Sequence, residues 1–84
     1  LVKRTTIAYP RSALDAGIEG TVTLILLIGI SGDVLDVKIE SSPSQLFVKP
    51  VLQAIKQWKF IPGRNKGVPV KVRVRESITF NLES

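Results

Sequence analysis

Residues 20–40, with the sequence GTVTLILLIGISGDVLDVKIE, decide the fold. The first half alternates between two faces of an extended strand, as expected when successive side chains point to opposite sides. Its predicted inward side chains are Val22, Leu24, Leu26, Ile28 and Ile30. The second half alternates again, and its predicted inward side chains are Leu35, Val37 and Ile39. Because the dipeptide Ser31-Gly32 separates the two runs, the pattern predicts a β-hairpin.

A helix is predicted on each side of this hairpin. Before it, Tyr9-Pro10 opens a short helix over residues 11–16, and Gly17 can supply a left-handed stop. After it, residues 41–44 (SSPS) break the sheet and offer an N-cap. Pro50 suits only a first turn, so the second helix should begin near Phe47. Its apolar side chains recur at helical spacing: Phe47, Val51, Ala54, Ile55 and Trp58.

Residues 63–67 (GRNKG) are predicted as a loop, and residues 68–82 as the third strand. The apolar face of that strand comprises Val68, Val70, Val72, Val74, Ile78, Phe80 and Leu82. Glu76 is polar on this face, which a bulge or a partner would explain. Pro69 cannot donate to a ladder and therefore suits an edge strand. The predicted class is α+β, in the order α-β-β-α-β, with a three-stranded antiparallel sheet and two helices packed on one face.

Composition limits the classes of function. The chain has 84 residues, enough for one domain, which we divide into an extended lead-in at 1–8 and the domain at 9–84. It starts at Leu1, so we expect a piece of a longer protein. It has no Cys and no His, so it lacks thiolate nucleophiles and the commonest general base and metal ligand. Asp36 and Glu40 share a strand face but lie about 13 Å apart, too far for a catalytic pair. We therefore predict no enzyme, no cofactor and no metal.

The net charge of +5 is unevenly placed. Residues 1–55 carry as many basic as acidic residues, whereas residues 56–84 carry seven basic against two acidic. Lys71, Arg73 and Arg75 form a row on one strand face, which favours an acidic partner. Nucleic acid is one such partner, but the row lacks the interleaved aromatic side chains of sheet-based readers, so we predict no nucleic-acid partner. A peptide added to the open sheet edge is the other, although basic residues and Pro69 also simply protect edges from aggregation.

Further residues resemble a known family in their order and spacing. They are Tyr9-Pro10, Ala13, residues 17–22 (GIEGTV), Gly32, Val34, Val37, residues 41–42 (SS), Ala54-Ile55, residues 58–60 (WKF), Pro62, Gly67, Pro69-Val70, Ile78, Phe80 and Leu82. This set resembles the TonB C-terminal domain over about residues 9–82. The resemblance implies a periplasmic domain of a protein anchored in the inner membrane and energised by the ExbB–ExbD complex. It also implies capture, by strand addition, of the TonB box of outer-membrane receptors for siderophores, vitamin B12 and similar nutrients.

The resemblance implies a partner-binding set formed by Arg4, Thr6, Val70, Lys71, Val72, Arg73, Val74 and Arg75. Thr6 stands where the family usually has Gln. Ile25 and Leu27 place apolar side chains on the outward face of the first strand, where polar residues are commoner; a partner, a swapped homodimer or contact with the lead-in would each explain them. The alternative function is a protein- or peptidoglycan-binding module of the same fold in another envelope system.

Overall fold

The computed structural model describes residues 7–82. Two α-helices, five strands and one short 3-10 helix follow each other along this part of the chain. In order they are α1 (Arg11–Ala16), β1 (Gly20–Ile28), β2 (Val34–Ser41), the 3-10 helix (Gln45–Phe47), α2 (Val48–Ile55), β3 (Gly63–Asn65), β4 (Val68–Val70) and β5 (Val72–Phe80).

The main sheet has three antiparallel strands in the order β2-β1-β5. Side chains from both helices join one face of this sheet in a single buried cluster, so the predicted α+β architecture is confirmed. Trp58 and Phe47 are the largest side chains in it. The whole cluster comprises Ala13, Val22, Leu24, Leu26, Ile28, Phe47, Val51, Ile55, Trp58, Ile78 and Phe80.

The helix ends follow the signals in the sequence. Gly17 ends α1 with a φ of 67°, a left-handed conformation that glycine adopts without strain. The hydroxyl of Ser44 accepts a hydrogen bond from the Leu46 amide at 3.1 Å and so caps the turn that leads into α2. Pro50 lies in the first turn of α2, where its missing N–H costs little. Among residues 7–82, no helix has the length and apolar character required to cross a bilayer.

Four side chains that the alternation assigned to the apolar face are exposed: Ile30, Leu35, Val68 and Leu82. Leu35 is the clearest correction. Leu27 pairs with Asp36 while Ile28 pairs with Val34, so Leu35 is the extra residue of a bulge. Val34 takes its place against the core, and Leu35 is 52% exposed. Ile30 and Leu82 lie beyond the ends of β1 and β5.

The predicted loop at 63–67 is instead part of a second, two-stranded sheet formed by β3 and β4. Lys66 and Gly67 have φ angles of 53° and 81°, and this pair of left-handed residues makes the tight turn of a hairpin. The predicted third strand therefore consists of β4 and β5, separated at Lys71. Val68 is exposed because it belongs to this hairpin and not to the main sheet.

The segment after α2 crosses the end of the main sheet on its way to β3. Asp33 and Lys59 form an isolated antiparallel bridge, and their side chains form an ion pair. The Phe60 amide donates to the Gly32 carbonyl at 2.9 Å. Gly32 has a φ of 86°, and an added Cβ would lie 2.0 Å from the Phe60 oxygen. Only glycine allows the backbones at positions 32 and 60 to come this close. This contact holds the segment that leads into the β3–β4 hairpin against the end of the main sheet.

Candidate functional site

The outer edge of β5 is the first candidate for a binding surface. β5 pairs with β1 through nine consecutive residue pairs, from Gly20–Phe80 to Ile28–Val72, with no register shift. At about 3.3 Å per residue, this makes a regular edge of about 30 Å. No other strand among residues 7–82 pairs with it. An edge of this kind presents a row of unpaired N–H and C=O groups to an extended partner.

The other edge of the sheet, β2, is less regular. Its pairing with β1 shifts twice, which leaves Leu35 and Glu40 as extra residues near its two ends. A bulge interrupts the ladder and bends the strand, and proteins use bulges to protect edges from unwanted pairing. β5 is therefore the better template of the two edges.

Most of the predicted partner-binding residues lie at the start of β5. Val72, Arg73, Val74 and Arg75 are its first four residues, and Lys71 immediately precedes them. Val70 differs, because it ends β4 and pairs with Gly63 in the small sheet. Arg4 and Thr6 lie outside the described residues.

The two rows of side chains on β5 have different surroundings. Val72 and Val74 are half-buried and pack against the core, whereas Arg73 and Arg75 are exposed on the opposite face. Nη2 of Arg75 donates to Oε2 of Glu40 on β2 at 2.9 Å, so this ion pair spans β1. An exposed pair of this kind contributes only about 0–1 kcal/mol. Sequence reasoning missed it, because Glu40 is 35 positions away and only the strand order β2-β1-β5 brings the two strands together.

Ile25 and Leu27 lie on the face that the helices do not cover, and both are half-buried. Ile25 pairs with Lys38 on one side and Arg75 on the other. Leu27 pairs with Asp36 and Arg73 in the same way. Long basic side chains cover apolar neighbours with their aliphatic stems while the charge stays in water. These flanking residues give the two apolar side chains partial shelter within the domain itself.

The Tyr9-Pro10 motif packs at the far end of β5. The Tyr9 ring meets the rings of Phe47 and Phe80 edge to face, with centroids 5.8 and 5.4 Å away. Its hydroxyl donates to the Ile18 carbonyl. Burial, and secondarily the negative charge of Glu19, raises the pKa of Tyr9 above its usual value. These contacts join the entry segment to the last strand.

Glu76 is half-buried on the inner face of β5, opposite the buried Leu24. The unbroken register excludes the bulge that we considered for it. Its carboxylate forms no ion pair with any residue from 7 to 82. A charge that points inward on an edge strand is another device that limits unwanted pairing.

Two further features bear on chemistry. Within residues 7–82, no group of three or more Asp, Glu, His or Cys side chains could hold a metal ion. A groove of about 260 Å³ lies between β2 and α2, on the side of the sheet away from β5. Its lining residues are Val34, Leu35, Asp36, Val37, Leu52 and Lys56.

Comparisons with known proteins agree with this architecture. The family model described as "Gram-negative bacterial TonB protein C-terminal" matches residues 5–82. Protein TonB of Vibrio cholerae is 41% identical over 76 residues, which are 89% of this chain and 31% of that protein. Protein TonB of Pseudomonas aeruginosa is 36% identical over 76 residues, which are 89% of this chain and 22% of that protein. Protein TonB of Xanthomonas campestris pv. campestris is 33% identical over 75 residues, which are 88% of this chain and 34% of that protein.

The chain thus spans between about a fifth and a third of the length of these relatives. A solution NMR structure of the Pseudomonas aeruginosa TonB C-terminal domain superposes with a TM-score of 0.80 at 32% identity. The match covers 99% of this chain and 85% of the solved one. Sequence and fold therefore agree over almost the whole chain, and the chain belongs to the family of Gram-negative bacterial TonB protein C-terminal domains.

Proposed function

We propose that this chain is the receptor-binding domain of a TonB-type energy transducer. The outer edge of β5 captures the TonB box, a short extended segment of outer-membrane transporters, by adding it to the sheet as a fourth strand. One observation carries this proposal: β5 pairs with β1 over nine residues without a shift, while the opposite edge strand is bulged twice. Only the regular edge offers evenly spaced backbone groups to a partner.

Backbone pairing suits a domain that serves several transporters. Main-chain hydrogen bonds supply affinity without demanding particular side chains, and pockets for alternate side chains supply specificity. On β5, Val72 and Val74 already pack against the core. Arg73 and Arg75 face solvent and bias the encounter towards acidic partners. The backbone edge is then the main recognition element.

The wider function follows from the family. The relatives named Protein TonB are three to five times longer than the matched segment, so the remainder of such a protein carries other parts of the activity. We propose that this domain works in the periplasm, at the end of a protein anchored in the inner membrane. There it passes proton-motive-force energy, gathered with the ExbB–ExbD complex, to transporters of siderophores, vitamin B12 and similar nutrients.

An NMR titration tests the site directly. The ¹⁵N-labelled 84-residue chain is titrated with a synthetic TonB-box peptide, and a scrambled peptide of the same composition is the control. We expect shifts concentrated at residues 70–75, with further shifts at Arg4 and Thr6. Shifts along β2 instead would mean that the wrong edge was chosen. No response to either peptide would favour a module of the same fold that binds protein or peptidoglycan in another envelope system.

N-methylated peptides test the mode of binding. In an added strand, alternate N–H groups point towards β5 and the others point away. Methylation of one set should abolish binding, whereas methylation of the other set should be tolerated. Equal losses of affinity from both sets would contradict strand addition, because a contact made through side chains does not depend on which backbone N–H groups face β5.

A further inference from the structure

The excess positive charge of residues 7–82 lies at one end of the β5 edge. Five basic residues and no acidic residue lie between positions 64 and 75. The rest of the described chain, residues 7–63 and 76–82, has one more acidic than basic residue. The five are Arg64, Lys66, Lys71, Arg73 and Arg75. The excess therefore follows the β3–β4 hairpin and the start of β5, and does not cover the surface evenly.

Residues 63–71 form a basic arm with a defined geometry. Nη1 of Arg64 donates to the Gly67 carbonyl at 3.0 Å and braces the turn. Gly63 lies so close to Val72 that an added Cβ would be 2.4 Å from its Cγ1 atom. Val70 pairs with Gly63, and Lys71 joins the arm directly to β5. The arm is thus held against the start of β5, next to the edge that we propose for peptide binding.

The charges on this arm are available to a partner. Arg64, Lys66 and Lys71 are exposed, and none of them forms an ion pair within residues 7–82. The other half of β5 is different, because Glu76 is the only charged residue between Arg75 and the end of the strand. Beyond that end, a carboxylate oxygen of Glu19 accepts a hydrogen bond from the Leu82 amide at 3.0 Å. The edge is therefore positive at its start, and the carboxylate of Glu19 lies beyond its end.

We propose that the basic arm binds an acidic segment that flanks the strand captured by β5, and so fixes which end of that strand lies beside Val72. This inference rests on the proposed function, because the arm acts on a peptide that the β5 edge already holds. Two or three acidic side chains outside the paired segment would meet Arg64 and Lys66. The same side chains at the other end would meet Glu19, which repels them.

Three peptides test this proposal. The first is a TonB-box peptide alone, the second carries three aspartates before the box, and the third carries them after it. Affinities are measured by isothermal titration at 20 mM and 150 mM salt. The test variant combines Arg64→Gln with Lys66→Asn, because Asn tolerates the left-handed conformation at position 66. The matched control, Lys49→Gln with Lys56→Gln, removes the same charge from the surface around α2.

We expect one tailed peptide, and not the other, to bind about three- to tenfold more tightly than the plain peptide at low salt, as expected for a few exposed ion pairs. The gain should shrink at 150 mM salt because exposed charges are screened. The arm variant should lose most of the gain and bind the plain peptide normally. The control variant should keep it.

Equal gains for both tails would overturn the proposal, and so would a gain that survives in the arm variant. A loss of binding to phosphatidylglycerol vesicles in the arm variant, with unchanged peptide gains, would assign the arm to a lipid surface instead. Failure of the plain peptide to bind the wild-type chain would remove the proposed function and the role of the arm together. If the plain peptide binds normally but both tails gain equally, only the role of the arm is overturned, so the plain peptide separates the two hypotheses.

Discussion

The contact between Gly63 and Val72 allows a sharp test of how the hairpin joins the main sheet. Gly63→Ala would put a methyl group 2.4 Å from Cγ1 of Val72, far inside ordinary van der Waals contact. Gly63 is the first residue of β3, and Val72 is the first residue of β5, where it pairs with Ile28. The overlap must be relieved by moving the hairpin or the start of β5. We expect destabilisation of about 2 kcal/mol, typical of an overpacked site.

Val72→Ala is the reference against which the destabilisation by Gly63→Ala is compared. It removes two methyl groups from a half-buried side chain, which should cost about 1 kcal/mol at about 0.8 kcal/mol per fully buried methylene. It also removes the Cγ1 atom that the new methyl group would strike. The double variant should therefore be little less stable than Val72→Ala alone. The coupling free energy between the two sites should be about 1–2 kcal/mol.

Urea unfolding gives the free energy of unfolding of the wild type, the two single variants and the double variant. It can be followed by the fluorescence of Trp58, which is the single tryptophan and is fully buried. Gly67→Ala is the control. Its added Cβ meets no atom within 4 Å, and it suffers only from the φ of 81° at that position. Its cost should be the same with Val72 and with Ala at position 72. Additive free energies for Gly63→Ala and Val72→Ala would refute the predicted contact.

Three further predictions follow from single contacts. Gly32→Ala should destabilise the fold by roughly 3 kcal/mol in urea melts, because its Cβ would strike the Phe60 oxygen; Gly17→Ala, with similar backbone strain but open space, should cost about 1 kcal/mol. Tyr9→Phe should lower the free energy of unfolding at neutral pH, because it removes the hydrogen bond to the Ile18 carbonyl. Because the pKa of Tyr9 is raised, wild-type stability should fall as pH rises above about 10 and approach that of the variant; a constant difference would contradict this. Arg73→Ala should weaken peptide binding by less than about threefold in titrations, since exposed charges contribute little.

The main sheet and α2 were predictable because their patterns are long. β1 alternates over nine residues with every second side chain buried, and the apolar face of α2 repeats at helical spacing. Leu35 was misassigned because Val34 and Leu35 are both apolar, so alternation permits either of them to face the core. The bulge decides between them, and it places Leu35 beside Gly29, where an added Cβ would lie 3.0 Å from its Cδ1 atom.

The β3–β4 hairpin was missed for a different reason. Each of its strands has three residues, too few to show a period of two. Lys66-Gly67 was a usable signal, because a glycine in the second position of a two-residue turn is typical of hairpins. The run of alternating valines from 68 to 74 then favoured one long strand. Pro69 does lie on an edge strand, but on that of the small sheet, where it pairs with Arg64.

The residues of the proposed site are a prediction from the family resemblance, whereas the reason that β5 is the better edge could not be predicted from the sequence. Alternation identifies which side chains of a strand face the core, and it contains no information about which strand lies at the edge or where a ladder is interrupted. That information came from the order β2-β1-β5 and from the two bulges in β2. The partner of Arg75 was hidden for the same reason, since Glu40 is 35 positions away.

The side chains of β5 leave little freedom for sequence-specific recognition along the strand itself. The inward row holds the core, and the outward row must stay polar to keep an exposed edge from associating with other edges. A partner that adds to this edge is therefore held mainly by its backbone, and many extended sequences satisfy that requirement. Discrimination has to come from groups at the ends of the strand, where neither constraint applies. The basic arm at one end is built from such positions, and substitutions there should change partner choice more than substitutions along β5.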